Sequence, residues 1–176
     1  MLITPEYQAQ LAQLHRDRPD WGTTGRGHAQ IVSSLIVDHR PQNVLDYGCG
    51  KQTLARALKG FRIMGYDPGI PGLEGRPDPV DMVVCTDVLE HIEPDCLDDV
   101  LDDLQRITRM LLYADVHLGA AVHKLPDGRN AHLIQQGYRW WLDRLLERFD
   151  LISANVSGQS LQVVLSARKP KGNGIH

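Results

Sequence analysis

A short apolar run that ends in a glycine turn is the feature that most limits how this chain can fold. The run Asn43-Val-Leu-Asp-Tyr47 predicts a buried strand, and Gly48-Cys-Gly50 follows it directly. Residues 53–58, with Gly60 just beyond them, predict a short helix that stops at a glycine. A strand, a glycine-bearing turn and a helix in this order begin a parallel α/β unit, in which ligands bind at the carboxyl ends of the strands.

Strands and helices continue to alternate, which predicts one α/β domain over residues 43–168 with a mostly parallel sheet and an antiparallel strand near its C-terminal end. Residues 1–42 form a helical N-terminal extension, whose Pro/Gly-bearing loop at 18–27 we expect to act as a lid. Residues 169–176 are expected to be a flexible tail, because Pro, Gly and Lys cannot build a core. The predicted helices cover residues 5–15, 28–39, 53–58, 95–109 and 138–149, and the predicted strands cover 43–47, 61–66, 81–85, 110–114, 151–156 and 161–167.

Composition excludes several classes of protein. The 176 residues include 19 Lys and Arg against 22 Asp and Glu, a net charge of −3, which argues against a basic nucleic-acid clamp. No apolar run approaches the roughly 18 residues of a membrane helix, and the first residues lack a secretory pattern, so we expect a cytoplasmic protein without a membrane partner. Three cysteines without a C-x-x-C spacing indicate reduced thiols rather than disulfides or a zinc site.

Two acidic residues flank the predicted ligand site. Asp46 precedes the glycine turn, where backbone N–H groups are expected to point outward, and it would repel a pyrophosphate but attract a cationic amine or sulfonium. Asp67 follows the next strand, 19 residues past Gly48, and is placed to accept hydrogen bonds from two ribose hydroxyls. Gln52 and Thr53 leave the dinucleotide glycine pattern incomplete.

At these residues the chain resembles the class I S-adenosylmethionine (SAM) dependent methyltransferases. Val44-Leu-Asp-Tyr-Gly-Cys-Gly50, Gly65-Tyr-Asp-Pro68 and Asp81-Met-Val-Val-Cys-Thr-Asp-Val-Leu-Glu-His-Ile92 are similar to three motifs of that family, in the family's order. The resemblance implies a Rossmann-like fold with Gly48 and Gly50 at the methionine moiety, Asp46 near its amino group, Asp67 on the ribose, and residues 85–87 closing the site. The cofactor-binding residues that it implies are Asp46, Tyr47, Gly48, Cys49, Gly50, Asp67, Pro68, Cys85, Thr86 and Asp87.

The chain departs from the family pattern after Asp67. Only 13 residues separate Asp67 from Asp81, too few for a crossover helix and a strand. The usual third strand is therefore expected to be missing, and with it the usual adenine-binding acid. The loop over residues 68–79 is then expected to cover the adenine.

An acidic and histidine-bearing motif follows the third of these predicted strands. Asp87, Glu90 and His91 are spaced to project from one face of a helical turn that begins at Thr86, and His132 lies in a later loop on the same side of the sheet. This set resembles that of the ubiquinone-pathway O-methyltransferases and the small-RNA 3′-terminal 2′-O-methyltransferases, which implies a divalent cation (Mn²⁺, Mg²⁺ or Zn²⁺) on these four residues.

Two alternatives to the cation remain open for this motif. Asp87 stands where those groups usually have Glu. In a metal-free enzyme the catalytic residues are Glu90, His91 and His132, with a histidine as general base. In the other alternative, His91 only caps a turn and Glu90 is solvated.

Most other histidines have no acidic or histidine partner at a useful spacing. His117 is a candidate for lining the site, because it follows a predicted strand. The remaining ones are expected at the surface: His15, His28, His39, His123 and His176.

These observations favour a SAM-dependent enzyme that methylates O or N of a small molecule, with a nucleotide or nucleic acid as the less favoured acceptor. The alternative is a non-catalytic SAM-fold module that binds a partner protein, because the third strand and the third glycine of the family pattern are absent. A nucleotide-dependent oxidoreductase is a weaker rival, since Asp46 disfavours a pyrophosphate. The sequence leaves the acceptor and the oligomeric state open.

Overall fold

Six strands form one sheet whose order places the first strand of the sequence next to two later ones. In the computed structural model, which describes residues 1–168, the order is β2-β1-β3-β4-β6-β5. Strands β1 to β4 pair in parallel, and β6 pairs antiparallel with both β4 and β5. The strands are β1 (Val44–Tyr47), β2 (Ile63–Tyr66), β3 (Val80–Thr86), β4 (Thr108–His117), β5 (Phe149–Ser157) and β6 (Ser160–Ala167).

Within the described part of the chain, five α-helices and three short 3₁₀ turns connect or cover these strands. No helix among residues 1–168 is both long and apolar enough to span a bilayer. The helices are α1 (Pro5–Asp17), α2 (Ala29–His39), α3 (Thr53–Ala57), α4 (Leu97–Ile107) and α5 (Tyr138–Leu146), and the 3₁₀ turns are Thr24–His28, Leu89–His91 and Pro94–Cys96. The predicted tail, residues 169–176, lies outside the described residues.

The architecture confirms the predicted α/β class, the mostly parallel sheet and its antiparallel pair. No strand is found between β2 and β3, so the described chain lacks the third strand, and β2 is left at one edge of the sheet. The observed ends of several helices and strands differ from the predicted ends by a few residues. The most evident case is β4, which runs from Thr108 to His117 because it pairs with β3 on one side and β6 on the other.

The loop that replaces the third strand is fixed by two arginines that pair with one buried carboxylate. The Asp103 side chain on α4 is fully buried, and its Oδ1 accepts from Nε and Nη2 of Arg76 at 2.9 and 2.7 Å. Arg106 donates to the same oxygen at 2.9 Å and to the Pro77 carbonyl at 2.9 Å. The loop is thereby held against α4 without forming a strand.

Apolar side chains bury both faces of the sheet. Helices α4 and α5 cover one face, where Trp141 is fully buried, and α2 and α3 cover the other. A separate cluster lies under α1, where Tyr7 and Leu14 pack with Leu125 and Ala131. The N-terminal extension is therefore packed against the loop that follows β4.

Candidate functional site

A cavity of about 400 Å³ lies where the parallel strands end. Its volume is within the range of small-molecule sites. The lining residues at the strand ends are Tyr47, the last residue of β1, then Gly48 and Gly50 after β1, Asp67 and Pro68 after β2, Asp87 after β3, and His117 at the end of β4. Helix α1 and the loop at 18–27 cover the cavity with Tyr7, Leu11, His15 and Trp21. The site is thus at the carboxyl edge of the sheet, as the sequence predicts.

The glycine turn requires glycine for reasons of packing. Gly48 and Gly50 have positive φ angles of 75° and 48°. A Cβ atom on Gly48 would lie 2.3 Å from Cγ2 of Val88, and one on Gly50 would lie 2.4 Å from the Gly22 carbonyl oxygen. A side chain at either position would therefore displace the wall of the cavity.

The N–H groups of this turn are bonded within the protein, contrary to the expectation that they point outward. Gly48 and Cys49 both donate to the Tyr66 carbonyl, at 2.8 and 3.0 Å. Gly50 donates to Oδ2 of Asp67 at 2.9 Å, and Lys51 donates to the Gly22 carbonyl at 2.8 Å. A pyrophosphate would find none of these four donors free.

The two acids at the strand ends lie close enough to influence each other. Asp46 is only 4% exposed, and burial together with the charge of Asp67 raises the pKa of its carboxyl group to about 7. The carboxylate of Asp67 accepts N–H bonds from Gly50 and Gly69, and Nε2 of His15 lies 3.8 Å from its Oδ2. A cationic ligand near Asp46 would favour its ionised form.

The predicted cofactor residues divide into two groups by their position. Six line the cavity: Tyr47, Gly48, Gly50, Asp67, Pro68 and Asp87. Four are buried and are not among the lining residues: Asp46, Cys49, Cys85 and Thr86. For both groups, a role in cofactor binding stays a prediction.

The Asp-x-x-Glu-His segment does not form the helical turn from Thr86 that its spacing suggests. The 3₁₀ turn begins only at Leu89, and Asp87 has a left-handed φ of 53° while its N–H donates to the Asp115 carbonyl. Asp87 therefore precedes the turn and is not part of the cluster that Glu90, His91 and His132 form.

Glu90 is buried, which excludes the alternative of a solvated side chain. It is fully inaccessible, and its Oε1 accepts from the N–H of His117 at 2.8 Å. Its Oε2 is buried and has no hydrogen-bond partner. Burial and the charge of Asp87 raise the pKa of Glu90 to about 8. A buried polar atom without a partner is costly, so this oxygen is suited to a bound group.

His91 and His132 present the same ring nitrogen. Nδ1 of His91 lies 2.8 Å from the Ala131 carbonyl, and Nδ1 of His132 lies 2.7 Å from the Gly119 carbonyl. Because a carbonyl only accepts, both Nδ1 atoms carry the proton and both Nε2 atoms keep a free lone pair. Burial lowers the pKa of His91 to about 4 and also lowers that of His132. Both rings are therefore neutral at physiological pH.

The loop after β4 positions His132 in this cluster. The Asn130 side chain accepts from the N–H groups of Ala121 and His132 and donates to the Ala121 carbonyl. One ligand atom from each of Glu90, His91 and His132 lies within 4.8 Å of the others. His117, which the sequence made a candidate for lining the site, has its ring centroid 4.8 Å from that of His132.

Several residues of the cavity were not expected there. The surface expectation is wrong for His15, which lines the cavity at 10% exposure, and for His28, which is mostly buried with Nδ1 3.2 Å from the Tyr113 hydroxyl. His123 also lines the cavity, but its side chain is 43% exposed, so it lies at the surface as expected. His39 is exposed as expected, and His176 lies outside the described residues. No local spacing marks these histidines, because their partners belong to distant segments.

A family model described as a methyltransferase domain matches residues 26–165, which is well over half of the chain. The chain belongs to this methyltransferase family. The predicted resemblance to class I SAM-dependent methyltransferases and the prediction of an enzyme are thereby confirmed. No curated protein matches the sequence.

Solved structures share the fold of this methyltransferase domain at low sequence identity. The 1,6-didemethyltoxoflavin-N1-methyltransferase of Burkholderia thailandensis, with 1,6-didemethyltoxoflavin and S-adenosylhomocysteine bound, has a TM-score of 0.68 at 17% identity, over 96% of this chain and 92% of that one. The N-methyltransferase NodS of Bradyrhizobium japonicum WM9, with S-adenosylhomocysteine, has a TM-score of 0.60 at 14% identity, over 92% and 99%. A Haloferax volcanii methyltransferase in complex with its activator Trm112 has a TM-score of 0.63 at 13% identity, over 90% and 98%.

Proposed function

We propose that this protein transfers the methyl group of SAM to an oxygen or nitrogen atom of a small-molecule acceptor. The observation that carries the proposal is that one cavity joins the Gly48 and Asp67 end, which suits SAM, to the His91 and His132 end, which suits proton removal. The fold-sharing methyltransferases that bind S-adenosylhomocysteine support the choice of cofactor.

The chemistry of the first end fits a cationic nucleoside. Asp46 and Asp67 supply negative charge for the amino group and hydrogen-bond acceptors for the ribose, while the turn offers no free N–H for a phosphate. When bound, SAM supplies an electrophilic methyl group on a sulfonium. The loop at 68–79, held to Asp103 through Arg76, covers the adenine in place of the missing strand.

The histidines at the other end accept the proton that the acceptor loses. The acceptor oxygen or nitrogen forms a bond to the methyl carbon, the bond from that carbon to sulfur breaks, and S-adenosylhomocysteine leaves. The acceptor's proton passes to Nε2 of His132, which is free because Nδ1 is bound to the Gly119 carbonyl. Burial raises the pKa of Glu90 to about 8, so this carboxyl group is protonated in the free protein at neutral pH. A positive charge on His132 in the same 4.8 Å cluster favours the ionised form of Glu90, which then stabilises the imidazolium.

The shape and lining of the cavity favour a small acceptor over a nucleic acid. Trp21 lies beside the cluster, and its ring centroid is 5.7 Å from that of His91 and 6.4 Å from that of His123. Its indole offers a flat apolar surface beside polar ring nitrogens, which suits an aromatic acceptor with an ionisable O–H or N–H group. The Burkholderia enzyme with 1,6-didemethyltoxoflavin supports an acceptor of this size.

Calorimetric titration with SAM and S-adenosylhomocysteine tests the cofactor. We expect binding at micromolar concentration by the unmodified protein. Absence of binding to both compounds would contradict the proposal and would favour the non-catalytic, partner-binding module.

Replacement of His132 tests the acceptor end. In a screen of small hydroxylated and N–H heteroaromatic compounds with labelled SAM, we expect His132→Asn to lower turnover by about 10²- to 10⁴-fold, the usual contribution of a general base. Its affinity for S-adenosylhomocysteine should stay within about twofold. His39→Asn, on the exposed end of α2, is the matched control. Equal activity of both variants would remove His132 from the mechanism.

A metal-assisted form of the reaction is the second candidate, because Glu90 has an unpartnered oxygen and three ligand atoms lie within 4.8 Å. Glu90, His91 and His132 would hold a divalent cation through Oε2 and the two Nε2 atoms, whose Nδ1–H groups already have the carbonyl partners common for metal-bound histidines. The cation would supply Lewis acidity at the acceptor oxygen. Activity lost in EDTA and restored by Mn²⁺, Mg²⁺ or Zn²⁺ would favour this form, whereas activity unchanged in EDTA would favour the histidine base alone.

A further inference from the structure

His15 on α1 reaches the end of β2, where Asp67 lies. A Cβ atom on Gly22 would be 2.7 Å from Cε1 of His15, and one on Gly69 would be 3.3 Å from its Cδ2, so the ring is held between the lid loop and the turn after β2. The side chain is 10% exposed and lines the cavity.

The polar atoms of this imidazole are not satisfied by the protein. Nδ1 is buried and has no hydrogen-bond partner, and Nε2 lies 3.8 Å from Oδ2 of Asp67, beyond a good hydrogen bond. Each oxygen of Asp67 accepts one N–H, from Gly50 and from Gly69, and each can accept one more. Nδ1 faces Gly22 in the lid loop, so the position for a further hydrogen-bonding group is the gap between Nε2 of His15 and Oδ2 of Asp67.

We infer that His15 is a cofactor-binding residue that holds a ribose hydroxyl of SAM together with Asp67. A hydroxyl can donate to a carboxylate oxygen of Asp67 and, with its lone pairs, accept from an imidazole N–H, so one group satisfies both residues. The inference rests on the proposed function, because it requires that Asp67 meets the ribose.

The same contact couples the cofactor to the N-terminal extension. Helix α1 is bound at one end by the Tyr7 hydroxyl, which donates to the His91 carbonyl at 2.8 Å. In the same first turn, the Gln8 side chain donates to the Pro68 carbonyl at 2.8 Å. A cofactor contact at His15 adds a third point, so bound cofactor holds α1 closed over the cavity.

The test compares ligands with and without the hydroxyls. Titrations of the full chain and of His15→Ala use S-adenosylhomocysteine and its 2′-deoxy and 3′-deoxy analogues. We expect His15→Ala to weaken binding of S-adenosylhomocysteine by about 3- to 10-fold, the effect of one hydrogen bond. The loss should disappear with the one analogue that lacks the contacted hydroxyl. An equal loss for all three ligands, or no loss, would overturn the inference.

Controls separate this inference from the proposed function and from misfolding. His39→Ala should bind all three ligands as the unmodified chain does. His15→Gln places an amide near the position of Nε2, the nitrogen that faces Asp67, and should recover part of the affinity. If His15→Ala does not fold, the comparison of ligands is made with this variant. If the unmodified chain binds S-adenosylhomocysteine but the affinity lost in His15→Ala does not depend on the ribose hydroxyls, only the inference fails. If the unmodified chain does not bind S-adenosylhomocysteine, the proposed function and the inference are refuted together.

Discussion

Asp46 is a carboxyl group whose surroundings favour its protonated form until a cation arrives. Its pKa rises from 3.8 in the unfolded chain to about 7 in the folded protein, through burial and the charge of Asp67. Below pH 4 both states hold the proton and stability is unaffected. Between about pH 4 and 7 the unfolded state loses its proton first, so the folded state becomes less stable as pH rises, by about 1.4 kcal/mol per pH unit at most.

Asp46→Asn is therefore expected to stabilise the free protein while it weakens the site. The variant should unfold at a higher urea concentration than the unmodified chain at pH 7.5, by a free energy on the order of a few kcal/mol, and should match it near pH 4. Its affinity for SAM should fall at least tenfold. Urea unfolding at several pH values measures the first effect and calorimetry the second. A difference in stability that does not change with pH would contradict this account of Asp46.

At the scale of elements, the loop over residues 68–79 takes the place of a strand and a helix. Its position depends on Arg76 and Arg106, which reach the buried carboxylate of Asp103 from the solvent side. The Arg76 side chain is 61% exposed, so solvent screens the ion pair and it adds little to global stability. Its effect is local, because it fixes the segment that covers the proposed adenine site.

Arg76→Met is expected to loosen this loop without unfolding the protein. We expect affinity for S-adenosylhomocysteine to fall several-fold and proteolytic cleavage within 68–79 to become faster, with the melting temperature lowered by only a few degrees. The control is Arg62→Met, because Arg62 is exposed and lies just before β2. If the two variants bind equally well, the loop does not contribute to the cofactor site.

For the whole molecule, the cavity joins segments that are far apart in the chain. Helix α1 contacts the His91 turn through Tyr7 and the end of β2 through Gln8, and the loop after β4 supplies His132. A ligand that fills this cavity therefore bridges the N-terminal extension, the sheet and the loop. Binding to the folded state alone must raise the stability of all three together.

We therefore expect S-adenosylhomocysteine, at about 100 times its dissociation constant, to raise the free energy of unfolding by about 2.7 kcal/mol. The melting temperature should then rise by about 5 to 10 °C. NAD at the same concentration should give no shift, because the glycine turn has no free N–H for its pyrophosphate. Differential scanning calorimetry checks both ligands. A shift with NAD but not with S-adenosylhomocysteine would revive the oxidoreductase alternative.

Many elements are predictable from the sequence because their signals are local. The apolar run at Val44–Tyr47 and the glycines after it are adjacent in the chain, and the 13 residues between Asp67 and Asp81 exclude a further strand by length alone. Strand ends are less predictable. Thr108 and His117 belong to β4 only because partners on both sides extend its pairing.

The sequence by itself determined the family motifs, the fold class and the edge of the sheet at which the ligand site lies. Only the tertiary structure decided which polar groups are left without partners. The orphan oxygen of Glu90, the free Nε2 of His132 and the unpartnered Nδ1 of His15 depend on carbonyls, helices and burial supplied by distant segments. Hydrogen-bond satisfaction and desolvation are properties of the packed molecule, and no local spacing encodes them.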